Sequence, residues 1–362
     1  MSRLETGAAA EPLDAPWPAE HLEVLGRCPA CASPSRTLLF EGLSDRIFRA
    51  APGRWTLWRC SGCGAAYLDP RPDLAGIGLA YRTYYTHGGT APRDVFAAGG
   101  GLRRAVKRLR HHAHYNAAFG YALRPAAPLA RWVAPLSAAA RAQAGQLIRH
   151  LPAPAGPGSR LLDVGCGNGD FLRIARRLGF DVMGLDLDAA AVARARGSGF
   201  TVLAGTIEEA ALDPESFEHV TLNHVVEHLH DPVGTLRRVL ALLRPGGRVW
   251  VQTPNLDAEG LKRFGADWRG LEPPRHLTLF DASSLERALC AAGFSRIALL
   301  PPKPDGAYFF AESLAIQRGA PVDRSERALR RRIRSEARRA DRVARRQPER
   351  GECITFVAHR PA

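Results

Sequence analysis

Three alternate glycines in Leu161-Leu162-Asp163-Val164-Gly165-Cys166-Gly167-Asn168-Gly169-Asp170 constrain this chain more than any other stretch. The apolar run ahead of them follows a Pro/Gly-rich linker and reads as a buried strand, and the glycines impose a tight turn. Phe171 to Leu178 then continues with helical spacing and stops at Gly179, a C-cap residue. Such a strand, glycine loop and helix lets a ligand approach the backbone where a side chain would block it. The helix N-terminus faces any negative group on that ligand. The next strand, Phe180 to Leu185, ends at Asp186, about 20 residues beyond the first glycine, where a carboxylate can hold two ribose hydroxyls.

A dinucleotide loop carries G-x-G-x-x-G, the third glycine allowing close helix–sheet packing. This chain has G-x-G-x-G with Asp170 next, so a dinucleotide is the poorer of two adenosine ligands for it. The stretch resembles motif I of the class I S-adenosylmethionine (SAM) methyltransferases, D-x-G-x-G-x-G. That resemblance implies an α/β fold with a Rossmann-like seven-stranded sheet, SAM as cofactor, and cofactor contacts from Asp163, Gly165, Gly167 and Gly169.

From 159 to 300, strand and helix signals alternate, as a parallel sheet covered on both faces requires. A helix over Ala189–Arg196 precedes a strand over Phe200–Gly205, which leads into Thr206-Ile207-Glu208. Phe217–Leu222 is the fourth strand and delivers Asn223-His224-Val225-Val226-Glu227-His228. Asp231-Pro232 opens a helix as N-cap and first-turn proline. Arg244-Pro245-Gly246-Gly247 then precedes a fifth strand, Arg248–Gln252. The E-H-h-x-D-P and L-x-P-G-G pair resembles the ubiquinone-pathway O-methyltransferases. It implies Ile207 over the adenine, Thr206 where many relatives carry an acid, and His224 lining the SAM pocket. His224 to His228 also fits the H-x-x-E-H zinc-protease pattern, but a strand-to-helix junction does not place both histidines on one helix face. By resemblance to quinone O-methyltransferases, His224, Glu227 and His228 are an alternative divalent-cation set; a helix-entry scaffold is the other reading.

Upstream, Cys28-Pro29-Ala30-Cys31 and Cys60-Ser61-Gly62-Cys63 are two C-x-x-C knuckles. Each turn offers two thiolates, and Cys28, Cys31, Cys60 and Cys63 together close a tetrahedral S4 site for a structural zinc ion with no open position. A disulfide pair is the alternative. The intervening length leaves room for strands at Thr37–Phe40 and Trp55–Arg59. After the knuckles come Leu68-Asp69-Pro70-Arg71-Pro72 and the pair Tyr84-Tyr85. A zinc ribbon, an L-x-P-R-P turn and a tyrosine pair resemble a bacterial branch that includes the deoxysugar C-methyltransferases. The resemblance implies that ribbon and following helices cover the acceptor site, with Tyr84 as an acceptor contact; a core role for the tyrosines stays open.

Beyond the fifth strand lies Pro273-Pro274-Arg275-His276, where the sugar C-methyltransferases carry H-E-H with the last histidine as base. By that resemblance His276 is the base and Arg275, in place of the acid, anchors an anionic acceptor. A turn-capping role for His276 is the plain alternative. Ser283-x-x-Glu286 reads as a capping box for a helix over Leu285–Ala292. Ser295–Leu300 is a sixth strand and Glu352 to Ala358 a last one, which the resemblance to SAM methyltransferases places antiparallel beside strand five. Between them, 318–350 carries 13 Arg against five acids. Its apolar stripe of Leu329, Ile333, Ala337, Ala340 and Ala344 reads as a helix.

The expected organisation is a disordered lead over 1–20, a zinc ribbon over 21–70, a helical cap and linker over 71–150, and the SAM-binding domain over 151–362 with its Arg-rich insertion. In the cap, Leu102, Val106 and Leu109 share one face, which suits either packing on the domain or an anionic membrane surface. His111, His112 and His114 are expected at the surface. The formal net charge is +14, but Lys occurs only at 107, 262 and 303. An Arg-, Ala- and Pro-rich composition is what a GC-rich genome imposes, so the charge is weak support for a nucleic-acid partner. No apolar run is long enough for a transmembrane helix and no secretion signal precedes the ribbon, so a cytoplasmic protein is expected. The leading functional reading is a SAM-dependent methyltransferase acting on a sugar or other polar metabolite with histidine-assisted deprotonation. An RNA methyltransferase and a non-catalytic SAM-fold scaffold are the alternatives.

Overall fold

The computed structural model describes residues 15–82, 101–124, 126, 137–323 and 325–362, and of residues 102–104 the backbone. The chain begins with small strands: β1 (Leu22–Glu23), β2 (Arg36–Leu43), β3 (Trp55–Cys60), β4 (Ala66–Leu68) and β5 (Arg71–Pro72). Strands β2, β3 and β4 form an antiparallel meander, and β1 pairs with β5. Trp55 and Leu57 alternate inward along β3, and Trp17 packs edge-on against Trp55 at 5.4 Å between centroids. The expected disordered lead over 1–20 is therefore corrected for its last part. A buried indole removes roughly 150–250 Å² from water, enough to fix the chain around it.

Two helices follow, α1 (Leu102–Phe119) and α2 (Ala138–Leu147), joined by a bond from the Tyr115 hydroxyl to the Ala144 carbonyl. Tyr115 and His112 are buried, whereas Val106 is exposed. The histidine run is thus partly internal, contrary to its expected surface place, because Tyr115 turns that side of α1 toward α2.

The main sheet is built from β6 (Arg160–Val164), α3 (Asp170–Arg177), β7 (Asp181–Asp186), α4 (Ala189–Gly197), β8 (Thr201–Ala204), β9 (Phe217–Asn223), α5 (Pro232–Leu242) and β10 (Leu243–Pro254). It continues with α6 (Glu259–Phe264), β11 (Thr278–Leu279), α7 (Ala282–Ala292), β12 (Ser295–Leu299), α8 (Gly306–Arg318), α9 (Arg327–Arg346) and β13 (Cys353–His359). The seven strands run β12-β13-β10-β9-β6-β7-β8, with β13 antiparallel to both neighbours, as expected for a Rossmann-like SAM methyltransferase sheet. Leu161, Leu162, Val220, Leu222, Val249 and Val251 are all buried, the pattern of strands covered on both faces. Helix starts follow their caps: Asp231 accepts from the Gly234 amide with Pro232 in the first turn. Helix α7 departs from expectation. Its box is Asp281 with Ser284, two residues ahead of the Ser283–Glu286 pair, and the Asp281 carboxylate also receives Arg59 from β3.

Two features tie the N-terminal strands to the rest. Strand β11 pairs antiparallel with β4, Thr278 opposite Tyr67 and Leu279 opposite Ala66, so a strand from the methyltransferase segment completes the ribbon sheet. Helix α8, which the sequence does not signal, buries Phe309, Phe310 and Leu314 in a second core with Trp55, Phe264 and Trp268. Helix α9 lays Ile333, Ala337, Ala340 and Ala344 inward and leaves most of its arginines exposed.

Candidate functional site

Gly165, Gly167 and Gly169 all adopt the left-handed conformation, with φ of +70°, +53° and +82°. A Cβ on Gly165 would lie 2.6 Å from Val225 Cγ2, so side-chain-free backbone is required there twice over. Asp186 fastens the loop: one carboxylate oxygen accepts from the Gly167 amide at 2.7 Å and the other from the Asp188 amide at 2.9 Å. Replacing Gly165 with Ala is expected to destabilise the fold by about 1–3 kcal/mol through strain and overpacking. Urea unfolding checks this, and an unchanged midpoint would contradict it.

The loop opens onto a cleft of about 1050 Å³ at the carboxyl ends of β6, β9 and β10. Strand order reverses there, between β6 with β7 on one side and β9 on the other, which is where open α/β sheets bind ligands. Gly165, Asn168 and Asp170 form one wall, Asn223 and Gln252 the strand ends, and α1 and α2 the side opposite the loop. The cleft is at the upper end of the roughly 300–1,000 Å³ common for ligand pockets, with room for a cofactor and a second small molecule.

Asp163, expected at the cofactor, lies fully buried beneath the loop. One oxygen pairs with Arg149 and accepts from the Thr221 hydroxyl at 2.9 Å; the other has no hydrogen-bond partner. Arg149 is the residue that reaches the cleft, and no motif in the sequence marks it. Its guanidinium lies 3.7 Å over the Phe171 ring, and its backbone and that of His150 are both left-handed at φ +49°. Gln146, also lining the cleft, directs its amide nitrogen to the Thr355 hydroxyl and leaves its oxygen unpartnered. Buried acceptors without donors are costly. The orphaned oxygen of Gln146, a residue that lines the cleft, thus suits a ligand that carries an ammonium, as SAM does.

The other expected site residues are distributed differently. Ile207 is buried among core side chains, while Leu187, next to Asp186, is largely exposed. His224, at φ +54°, turns its ring toward Glu227, with Nδ1 3.1 Å from the carboxylate. Tyr84 and Tyr85 lie outside the described residues. His276 is buried and is not among the described residues that line the cleft. Its Nδ1 donates to the Gly270 carbonyl at 2.8 Å, and its ring meets His228 edge-on at 4.8 Å. Burial lowers His276 to about 4 against the attraction of Glu272.

Arg275 requires a correction. Its guanidinium is fully buried, donating to both oxygens of Asp45 at 2.6 and 3.0 Å, to Glu272 at 3.1 Å and to the Ala80 carbonyl at 3.0 Å. All three nitrogens are engaged inside the protein, so Arg275 is a strut between ribbon and domain rather than an acceptor anchor.

Glu227, His228 and His276 bring one ligand atom each within 4.8 Å of one another. This set retains two members of the expected cation set and exchanges His224 for His276. His228 Nδ1 lies 3.0 Å from the Arg275 carbonyl, so both rings can face the carboxylate through Nε2, the orientation that metal-ligating histidines need. Burial alone would raise the Glu227 carboxyl. The hydrogen bond and charge of His224, with the charges of His228 and His276, instead hold it at about 2.

At the ribbon, Cys28, Cys31, Cys60 and Cys63 gather their sulfurs, with Cys28–Cys63 at 3.7 Å and Cys31–Cys60 at 3.5 Å. A tetrahedron with Zn–S bonds of about 2.3 Å has edges near 3.8 Å. The four free thiols fit that ion, and they are too far apart for disulfides of about 2.05 Å.

Comparison with known proteins agrees with this fold. Residues 136–299 match the family model described as a methyltransferase domain. Over 138 residues the chain is 34% identical to a malonyl-[acyl-carrier protein] O-methyltransferase of Serratia marcescens, covering 38% of this chain and 53% of that protein. Over 105 residues it is 36% identical to a ubiquinone biosynthesis O-methyltransferase of Aeromonas salmonicida, covering 27% and 44%. The chain spans about half the length of these curated relatives. A SAM-dependent methyltransferase structure from Mesorhizobium loti aligns with 60% of this chain and 98% of its own, at 21% identity and a TM-score of 0.42. Residues 136–299 are thus similar to a methyltransferase domain.

Proposed function

We propose that this protein transfers a methyl group from SAM to a small-molecule acceptor. The observation that carries the reading is the Asp186-fastened glycine loop opening onto a cleft at the sheet's switch point. When bound, SAM supplies a methyl carbon attached to a positively charged sulfur. On the chain's side, Asp186 would hold the ribose, with the exposed Leu187 beside the adenine. The unpartnered oxygen of Gln146 would take the ammonium, and Arg149 the carboxylate. His224 acts indirectly, by fixing Glu227 at the exit of β9. Helices α1 and α2 cover the acceptor end and exclude water, which leaves the residues there to orient the nucleophile.

We further infer that the ribbon binds one structural zinc ion through Cys28, Cys31, Cys60 and Cys63. The set has four sulfurs and offers no position for a catalytic water. No described helix is long and apolar enough to cross a membrane.

Asp186→Ala is expected to weaken SAM binding roughly tenfold to a hundredfold, the range for losing a charged hydrogen-bond acceptor. Titration calorimetry reads this directly. Wild-type affinity in the variant would remove the ribose assignment, and no heat of binding for the wild type would remove the methyltransferase reading itself.

A further inference from the structure

The last strand reaches the cofactor cleft through one hydroxyl. Thr355 of β13 pairs across the sheet with Gln252 of β10, and its carbonyl accepts from the Leu300 amide at 2.8 Å, so its backbone is held from both sides. Two carboxamide nitrogens converge on its hydroxyl oxygen: Gln252 Nε2 at 2.9 Å, and Gln146 Nε2 from α2 at 3.3 Å. Both glutamines are buried and line the cleft, whereas Thr355 is buried and not among the described lining residues.

A carboxamide has a donor end and an acceptor end of nearly the same shape, so what it offers a ligand depends on which end is held elsewhere. A threonine hydroxyl oxygen has two lone pairs, enough to hold both nitrogen ends. Each glutamine then keeps its oxygen for whatever fills the cleft, and the Gln146 oxygen has no partner. The wall formed by α2 and β10 thus accepts hydrogen bonds at these amides without carrying a charge there. A carboxylate in the place of either amide would compete with the cofactor's own carboxylate for Arg149, which lines the same cleft.

Resting on the methyltransferase reading, we propose that Thr355 is a positioning residue for the cofactor, holding the carboxamides of Gln146 and Gln252 so that their oxygens face the SAM ammonium. Thr355 itself does not touch SAM and acts through the two amides. In Thr355→Val both nitrogens lose their acceptor inside the protein, and buried donors without partners are costly. The amides relieve that cost by turning over, which sets NH2 groups against the ammonium.

The test is titration calorimetry of the full-length protein with two probes, S-adenosylhomocysteine and its deaminated analogue, in which hydrogen replaces the ammonium. The wild type is expected to bind S-adenosylhomocysteine roughly tenfold or more tighter than the analogue, the range for a hydrogen bond to a charged group. Thr355→Val should bind S-adenosylhomocysteine roughly tenfold more weakly and the analogue as the wild type does, so that discrimination between the probes is lost. Thr355→Ser, which keeps the hydroxyl, should restore it. A purely structural role for the threonine would weaken both probes alike. Thr355→Ala carries the same expectation where the valine variant does not fold, and if neither folds the hydroxyl is structural and the proposal is overturned. Should S-adenosylhomocysteine fail to bind the wild-type protein, the methyltransferase reading falls and this one with it. If it binds but the analogue binds equally well, the ammonium assignment alone is overturned. Wild-type discrimination in Thr355→Val, equal weakening of both probes, or a serine variant that restores nothing also overturns the role of Thr355.

Discussion

Stripping the ribbon metal is expected to destabilise the methyltransferase domain as well as the ribbon. A structural zinc ion contributes about 10–16 kcal/mol to the folding of isolated zinc peptides. Here the meander of β2, β3 and β4 has strand pairing of its own, so only part of that is at stake. A loss of about 5 kcal/mol lowers the melting temperature by on the order of 10 °C in a chain of this size. The loss should spread because contacts cross from the ribbon, among them β4 to β11, Arg59 to Asp281 at the start of α7, and Asp45 to Arg275. Loosening β2 to β4 exposes the edge of β11, removes a partner from the α7 cap, and leaves Arg275 without its main counter-charge. Scanning calorimetry with and without a chelator, and of Cys60→Ser, should show one transition moving down as a whole. Native mass spectrometry should find one zinc ion per chain before chelation. A chelated protein that keeps its melting temperature would count against the zinc assignment, and a ribbon transition separating from an unmoved main one would count against the coupling.

The parts of this molecule that are legible in sequence are those whose cause is local. Gly165, Gly167 and Gly169 are needed for left-handed backbone, and any chain that makes this turn must carry them or close substitutes. The strands of the main sheet are apolar runs bounded by turns, and the antiparallel β13 follows as a last apolar run after the insertion. The four cysteines announce themselves by spacing. What the sequence hides is created by distance. Arg275 and Asp45 lie 230 positions apart, and nothing in Pro274-Arg275-His276 says that the guanidinium turns inward. Strand β11 has two residues, too short for an alternation to be read. Arg149 enters the cleft through two consecutive left-handed residues that are neither Gly nor Asn, a conformation that side-chain type does not forecast. Helix α8 has apolar residues on its inner face, but its Phe309-Phe310 pair fits a strand as well as a helix. The acceptor end of the site is the least legible part, since it depends on how α1 and α2 meet the sheet.

Arg275→Ala is expected to act on stability rather than on acceptor binding. The side chains of Arg275 and Asp45 are fully buried and that of Glu272 nearly so, and Arg275 serves both acids. Burial would raise the Glu272 carboxyl, but the charges of His276, Arg269 and Arg275 hold it well below the usual carboxylate range. Removing the guanidinium leaves Asp45 without a counter-charge in a site water does not reach, at a cost of about 3–5 kcal/mol. Glu272 retains Arg269, so Asp45 carries most of the defect. Adding Asp45→Asn should recover part of the loss, because a neutral amide needs no counter-charge; that sign of coupling is specific to a buried pair. The Phe48, Ala50 and Ala51 amides that donate to Asp45 should keep the recovery incomplete. Urea unfolding of the two single variants and the double variant measures the coupling. At a temperature where the Arg275→Ala protein stays folded, its KM for the acceptor should match the wild type. A variant with wild-type stability and a KM raised tenfold or more would restore Arg275 to the acceptor site and overturn its role as the strut between ribbon and domain.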